Sequence, residues 1–170
     1  SGVTRNPWNT SRTTGGSSGG AVAAAALGMG VLHTGTDAGG SVRIPASFTG
    51  VFSLKPTYGK VPAWPASPFG TLSHTGPITR TVRDAAAMLN VIARPDIRDW
   101  TALPADDTNY LEGIEHGVEG LRIAFSLTLG HVKIVNPEIA ELVTAAAQSF
   151  EKLGATVEEI DPDLTDAESI

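Results

Sequence analysis

Leu121-Arg122-Ile123-Ala124-Phe125-Ser126, then Asn136-Pro137-Glu138-Ile139-Ala140-Glu141-Leu142-Val143, then Ala155-Thr156-Val157-Glu158-Glu159-Ile160, decide the class of this chain. The first and last are short runs rich in apolar and β-prone residues, and they read as strands. Between them, Asn136 starts a helix with Pro137 in its first turn, where a missing N–H costs nothing. Ile139, Leu142, Val143, Ala146, Phe150 and Leu153 recur at helical spacing on one face, and Gly154 closes the helix. A strand–helix–strand unit makes the fold class mixed α/β.

Working back toward the N-terminus, the remaining segments fit that class. Thr81-Val82-Arg83-Asp84 resembles a capping box with Asp in place of Glu, and Val82, Ala85, Ala86, Leu89 and Ile92 follow at helical spacing. Residues 95–119 are polar and irregular. Residues 59–79 carry Pro62, Pro65, Pro68 and Pro77, and are expected to form a long surface connection of functional use. Val51–Leu54 and Val31–Thr36 read as strands. An alanine-rich helix is expected over Gly19–Leu27, ending at Gly28 or Gly30. Residues 1–20 are rich in Gly, Ser, Thr, Asn and Pro, yet Trp8 and Arg12 argue for an ordered loop over a linker. There is no internal repeat.

Composition narrows the function. In 170 residues the net charge is −6, which argues against a nucleic-acid partner because phosphate binding needs a concentrated basic surface. With no cysteine, disulfides and thiolate metal sites are excluded. The longest apolar stretch, Ala21–Leu27, is too short to span a bilayer, and no signal-peptide pattern is present. The expectation is a soluble cytoplasmic protein without membrane association. The start at Ser1 without methionine and the end at Ile170 suggest a piece of a longer polypeptide.

Chemistry concentrates in two glycine-embedded serine clusters, Gly15-Gly16-Ser17-Ser18-Gly19-Gly20 and Gly35-Thr36-Asp37-Ala38-Gly39-Gly40-Ser41-Val42-Arg43-Ile44-Pro45-Ala46. Glycine runs let backbone N–H groups converge on one reacting atom, and a serine hydroxyl can attack or relay a proton. Alone, each cluster also reads as structure: the second as a tight turn, the first as a helix cap supplied by Ser17 or Ser18. The two clusters, followed by Gly50-Val51-Phe52-Ser53-Leu54-Lys55-Pro56-Thr57-Tyr58-Gly59, resemble the amidase signature family of serine hydrolases.

That resemblance runs from Asn6-Pro7-Trp8 through Arg80-Thr81-Val82-Arg83-Asp84 and, more weakly, through the last strand–helix–strand unit. It implies part of a three-layer α/β/α sandwich around a mixed β-sheet, with residues 1–170 a portion of a single amidase domain. It implies hydrolysis of a carboxylic amide through an acyl-enzyme on a Ser-Ser-Lys triad. Ser41 would be the nucleophile, and Ser17, after a cis peptide bond, the proton relay. Backbone N–H groups of Ala38, Gly39, Gly40 and Ser41 would form the oxyanion hole, with Ser18, Asp37 and Arg43 in support. Asp37 and Arg43 are expected to form a buried ion pair or clamp the backbone. No metal or organic cofactor is implied. The implied partners are a small-molecule amide and, for the full-length enzyme, a second copy in a homodimer.

The chain departs from the family pattern at the lysine. Lys55, Lys60, Lys133 and Lys152 are its lysines, and none stands upstream of the first serine cluster, where the resemblance puts the catalytic one. The 170 residues alone are therefore expected to lack a complete triad and to be inactive. His33, His74, His116 and His131 show no metal-ligand spacing and read as structural. Trp8, Trp64 and Trp100 read as core or loop packing, and residues 60–75 as part of substrate recognition.

Other readings compete. Gly16-Ser17-Ser18-Gly19-Gly20 satisfies G-x-S-x-G with Ser18 attacking and His116 or His131 as partner, but an elbow follows a hydrophobic strand and Thr10–Thr14 is polar. Nucleotide loops fail too: Gly59-Lys60 is followed by Val61, and Gly28-Met29-Gly30 has His33 where a third glycine belongs. Within the family, the glutaminase-type subunit of a tRNA-dependent amidotransferase is an alternative, although such subunits usually carry glutamine where this chain has Ile44. A catalytically inert fragment is another.

Overall fold

The structure, a computed structural model, describes residues 2–164. Two compact units divide the chain, one ending at Ile114 and the other starting at Glu115.

In the first unit, helix α1 (Gly19–Ala26) leads to strand β1 (Leu32–Asp37), helix α2 (Arg43–Thr49) and the short strand β2 (Phe52–Ser53). Strand β3 (His74–Thr79) and helix α3 (Val82–Ile92) follow. The three strands form an antiparallel sheet in the order β1-β3-β2, with β1 and β3 paired from Leu32↔Thr79 to Asp37↔His74. Val22 and Ala25 of α1, Val42, Ala46 of α2 and Ile78 of β3 pack into one buried cluster. The small side chains of α1 let it lie close to the sheet. Gly35 makes that approach fit: a Cβ there would stand 2.5 Å from Ser18 Oγ and 2.7 Å from Val42.

The prolines of residues 59–79 mislead about this segment, because its last six residues are β3, the central strand of the sheet. Pro77 is tolerated there for a geometric reason. In an antiparallel ladder the N–H and C=O of one residue point the same way. Pro77 C=O accepts from Leu54 N at 3.3 Å, so its missing N–H falls on the side of the two-residue β2, away from the full-length pairing with β1.

Helix α2 is absent from the sequence-based expectations although its signals are present. Pro45 sits in its first turn, and Gly50 ends it in the left-handed conformation with φ 68°. The carbonyls near its C-terminus hold the N-terminal loop: Asn6 Nδ2 donates to Phe48 O and Trp8 Nε1 to Thr49 O, each at 2.7 Å. The loop is ordered because it serves the orphan carbonyls of a helix. Helix α3 carries the expected cap, with Thr81 Oγ1 accepting from Asp84 N at 3.1 Å. Its buried residues are Ala85, Ala86, Met88 and Leu89, and Val82 lies outside that face.

In the second unit, β4 (Arg122–Phe125), α4 (Pro137–Ser149) and β5 (Thr156–Glu159) form the expected strand–helix–strand, with the strands parallel and in register from Arg122↔Thr156 to Phe125↔Glu159. Asn136 Oδ1 accepts from the N–H groups of Glu138 and Ile139 at 2.9 and 3.4 Å. The helix stops earlier than its apolar spacing implies. Phe150 is its C-cap, and Leu153 belongs to a following 3₁₀ turn closed by Gly154. Among the described residues, no helix is long and apolar enough to cross a membrane.

Candidate functional site

Asp37 ends β1 with 1% of its surface exposed, and it organises the loop that follows. Its Oδ1 accepts from Gly40 N at 2.7 Å, and its Oδ2 from Val42 N at 3.2 Å and Arg43 N at 3.4 Å. The Arg43 fork closes on both oxygens, Nε to Oδ2 at 3.0 Å and the terminal nitrogen to Oδ1 at 2.9 Å. Asp37 and Arg43 thus make an ion pair and a backbone clamp at once. The Arg43 guanidinium holds the Asp37 carboxyl well below its ordinary value, against the opposing effect of burial, with the N–H groups of Gly40, Val42 and Arg43 adding to the pull. Gly40 takes φ 107°, a conformation that side-chain-bearing residues rarely adopt.

Gly40 leaves the expected set of oxyanion donors, because its single N–H is taken by Asp37 and serves the loop's own structure. Ala38, Gly39 and Ser41 remain.

The two serine clusters meet through their backbones. Ser18 N donates to Ser41 O at 3.2 Å, and Ser18 Oγ donates to Thr36 O at 3.4 Å. Ser18 is the N-cap residue of α1, but neither it nor Ser17 supplies a side-chain cap. The hydroxyl of Ser18 goes to the sheet instead. The Gly16–Ser17 peptide bond is cis. Ser41 is half-buried and Ser17 exposed.

His74, opposite Asp37 in the sheet, approaches two carbonyl oxygens through Nδ1, Leu72 O at 2.8 Å and Asp37 O at 3.3 Å. Carbonyls only accept, so Nδ1 carries a proton. The His74 ring meets Tyr58 edge-to-face with centroids 5.7 Å apart. Lys55 Nζ donates to Pro56 O at 3.0 Å. Among the described residues, no group of three or more His, Cys, Asp or Glu side chains could hold a metal ion.

A family model described as Amidase matches residues 1–168. The chain belongs to the amidase family. A glutamyl-tRNA(Gln) amidotransferase subunit of Rubrobacter xylanophilus is 48% identical over 160 residues, covering 94% of this chain and 33% of that relative. Among solved structures, a bacterial aryl acylamidase of the amidase signature family superimposes with TM-score 0.86 at 40% identity, over 96% of this chain and 34% of the other. A 6-aminohexanoate cyclic dimer hydrolase, solved with its substrate, gives 0.82 at 35% identity, over 92% and 33%. This amidase-family chain therefore spans about a third of the length of the relatives it matches.

The sequence assigns the tryptophans of this amidase-family chain to core or loop packing; Trp8 does hold its loop on the end of α2, whereas Trp64 and Trp100 stand elsewhere. Trp8, Trp64 and Trp100 are 69%, 60% and 96% exposed. Trp64 and Trp100 both line a cleft of about 350 Å³ formed by residues of 58–73 and 98–101. One wall falls in the segment that the prolines mark as a long connection. The other wall lies about thirty residues on, in a polar segment with no local signal.

Proposed function

We propose that the full-length protein is an amidase that cleaves a carboxylic amide through an acyl-enzyme on Ser41. Ser41 Oγ attacks the amide carbonyl while its proton passes to Ser17, and the proton of Ser17 passes to a neutral lysine. The N–H groups of Ala38, Gly39 and Ser41 stabilise the oxyanion, each such donor being worth about 3–4 kcal/mol in the transition state. The proton returns through Ser17 to the leaving amine, and water then releases the acid. The lysine would come from sequence outside residues 1–170, in keeping with relatives about three times as long. The reading needs neither a metal nor an organic cofactor.

The observation that carries this reading is the hydrogen bond from Ser18 N to Ser41 O, which draws two distant glycine-serine loops together at the end of β1. A second reading, a subunit that releases ammonia from glutamine for a partner, is favoured by the 48% identity to an amidotransferase subunit. It uses the same residues and differs in substrate. In full-length protein, Ser41→Ala and Ser17→Ala should each lower amide turnover by about a thousandfold or more, measured on a panel of simple amides that includes glutamine. Wild-type rates in both variants would overturn the assignment.

A further inference from the structure

The cleft between residues 58–73 and 98–101 plays no part in the chemistry assigned to Ser41 and Ser17. Its position ties it to them. Tyr58 lines the cleft and stands edge-on to His74, whose Nδ1 donates to Asp37 O at 3.3 Å. Ser73, also in the lining, directly precedes β3, and β3 begins opposite Asp37. Part of the cleft lining thus lies beside the end of the sheet from which the loop to Ser41 departs.

Its chemistry is equally directed. The charged groups in the lining are already used within the wall. Arg98 is paired with Asp96 at 2.6 Å, and the Asp99 carboxylate accepts from Ala63 N at 2.8 Å, Thr101 N at 2.9 Å and Thr101 Oγ1 at 2.6 Å. Leu103 N donates to Gly59 O at 2.8 Å, which further ties the two segments together. The rest of the lining is uncharged and includes Tyr58, Val61, Trp64 and Trp100, together with Ser67 and Ser73. Indole rings in the wall of a concavity can stack on a planar group, and about 350 Å³ lies at the low end of ligand pockets, enough for one ring and its attachment.

We propose that this cleft is the subsite for an uncharged aromatic ring carried by the amide substrate, held by Trp64 and Trp100. The inference rests on the amidase reading of Ser41.

The test uses full-length protein with acetanilide and benzamide, which place a ring on either side of the amide, and acetamide, which has none. Trp64→Ala and Trp100→Ala should each reduce kcat/KM for at least one ring-bearing amide by about tenfold or more, with acetamide changed by less than about twofold. Trp64→Phe and Trp100→Phe keep a ring and should lose less than about threefold. A binding arm separates this inference from the one beneath it. Saturation-transfer NMR of acetanilide on Ser41→Ala protein should detect the ring protons, and adding Trp64→Ala should abolish the signal. If no amide is turned over but that tryptophan-dependent binding persists, the amidase reading falls and the ring subsite stands. Equal losses on all three amides, unchanged rates in the alanine variants, or binding indifferent to Trp64 would overturn the subsite.

Discussion

Asp37 carries more of the site's construction than any other side chain. Buried at the end of β1, it gathers three backbone N–H groups and the Arg43 fork on two oxygens, and so sets the path of the chain through Gly40 to Ser41. Because the folded protein holds its carboxyl below the ordinary value of 3.8, the charged form is favoured in the folded state. Its contribution to stability is full above a pH of about 4 and is lost as the pH falls through the folded value. Asp37→Asn leaves the carbonyl acceptor but removes the charge and aims an amide N–H₂ at groups that also donate. Its expected cost at neutral pH is on the order of 3 kcal/mol. Below a pH of about 4 the gap between variant and parent should narrow, as urea unfolding of both across pH would read. A constant gap from pH 7 to pH 2 would show that the charge is irrelevant. That Asp37 and Arg43 act together was legible in the sequence from their places around Ser41. That Asp37 takes Gly40 N–H out of the oxyanion set was not, because a donor's partner is chosen by φ and ψ, which a glycine pair leaves open.

At the scale of elements, the N-terminal caps of α3 and α4 were readable, while the missing side-chain cap of α1 and the pairing of the first sheet were not. Thr81 and Asn136 cap α3 and α4 as their sequence context implies, since a cap is decided within four residues. Helix α2 hid because its seven residues show too little periodicity, although Pro45 and Gly50 bracket it. Strand β3 hid behind Pro77, whose acceptance depends on β2 being two residues long, a tertiary fact. The meeting of α1 with the sheet is tertiary as well, and it turns on Gly35. Gly35→Ala would push a methyl group against Ser18 Oγ, Val42 and Ile78. It should cost about 1–3 kcal/mol and lower amide turnover, because Ser18 N is the link to Ser41. Thr81→Ala, in a helix cap remote from the serine loops in sequence, should cost about 1 kcal/mol and leave turnover at saturating substrate unchanged. Chemical denaturation and initial rates on the same preparations separate the two. Equal effects on rate would detach the α1–sheet contact from catalysis.

For the molecule as a whole, the family and the α/β class follow from features that local sequence carries: two glycine-serine loops and a strand–helix–strand unit. What sequence could not supply is the second wall of the cleft, since Trp100 meets the 58–73 segment only through long-range folding. In the second unit, Ile139, Leu142 and Val143 on α4 remain 52%, 61% and 45% exposed, so that unit by itself does not bury the apolar face that makes the helix amphipathic. Catalysis as proposed stands on Ser41 as the residue that becomes acylated. Full-length protein treated with a fluorophosphonate that traps serine nucleophiles, digested and read by peptide mass spectrometry, tests this directly. The expected result is one stoichiometric adduct on the peptide containing Ser41, absent from Ser41→Ala. An adduct on Ser17 or Ser18 with Ser41 unmodified, or undiminished labelling of Ser41→Ala, would contradict it.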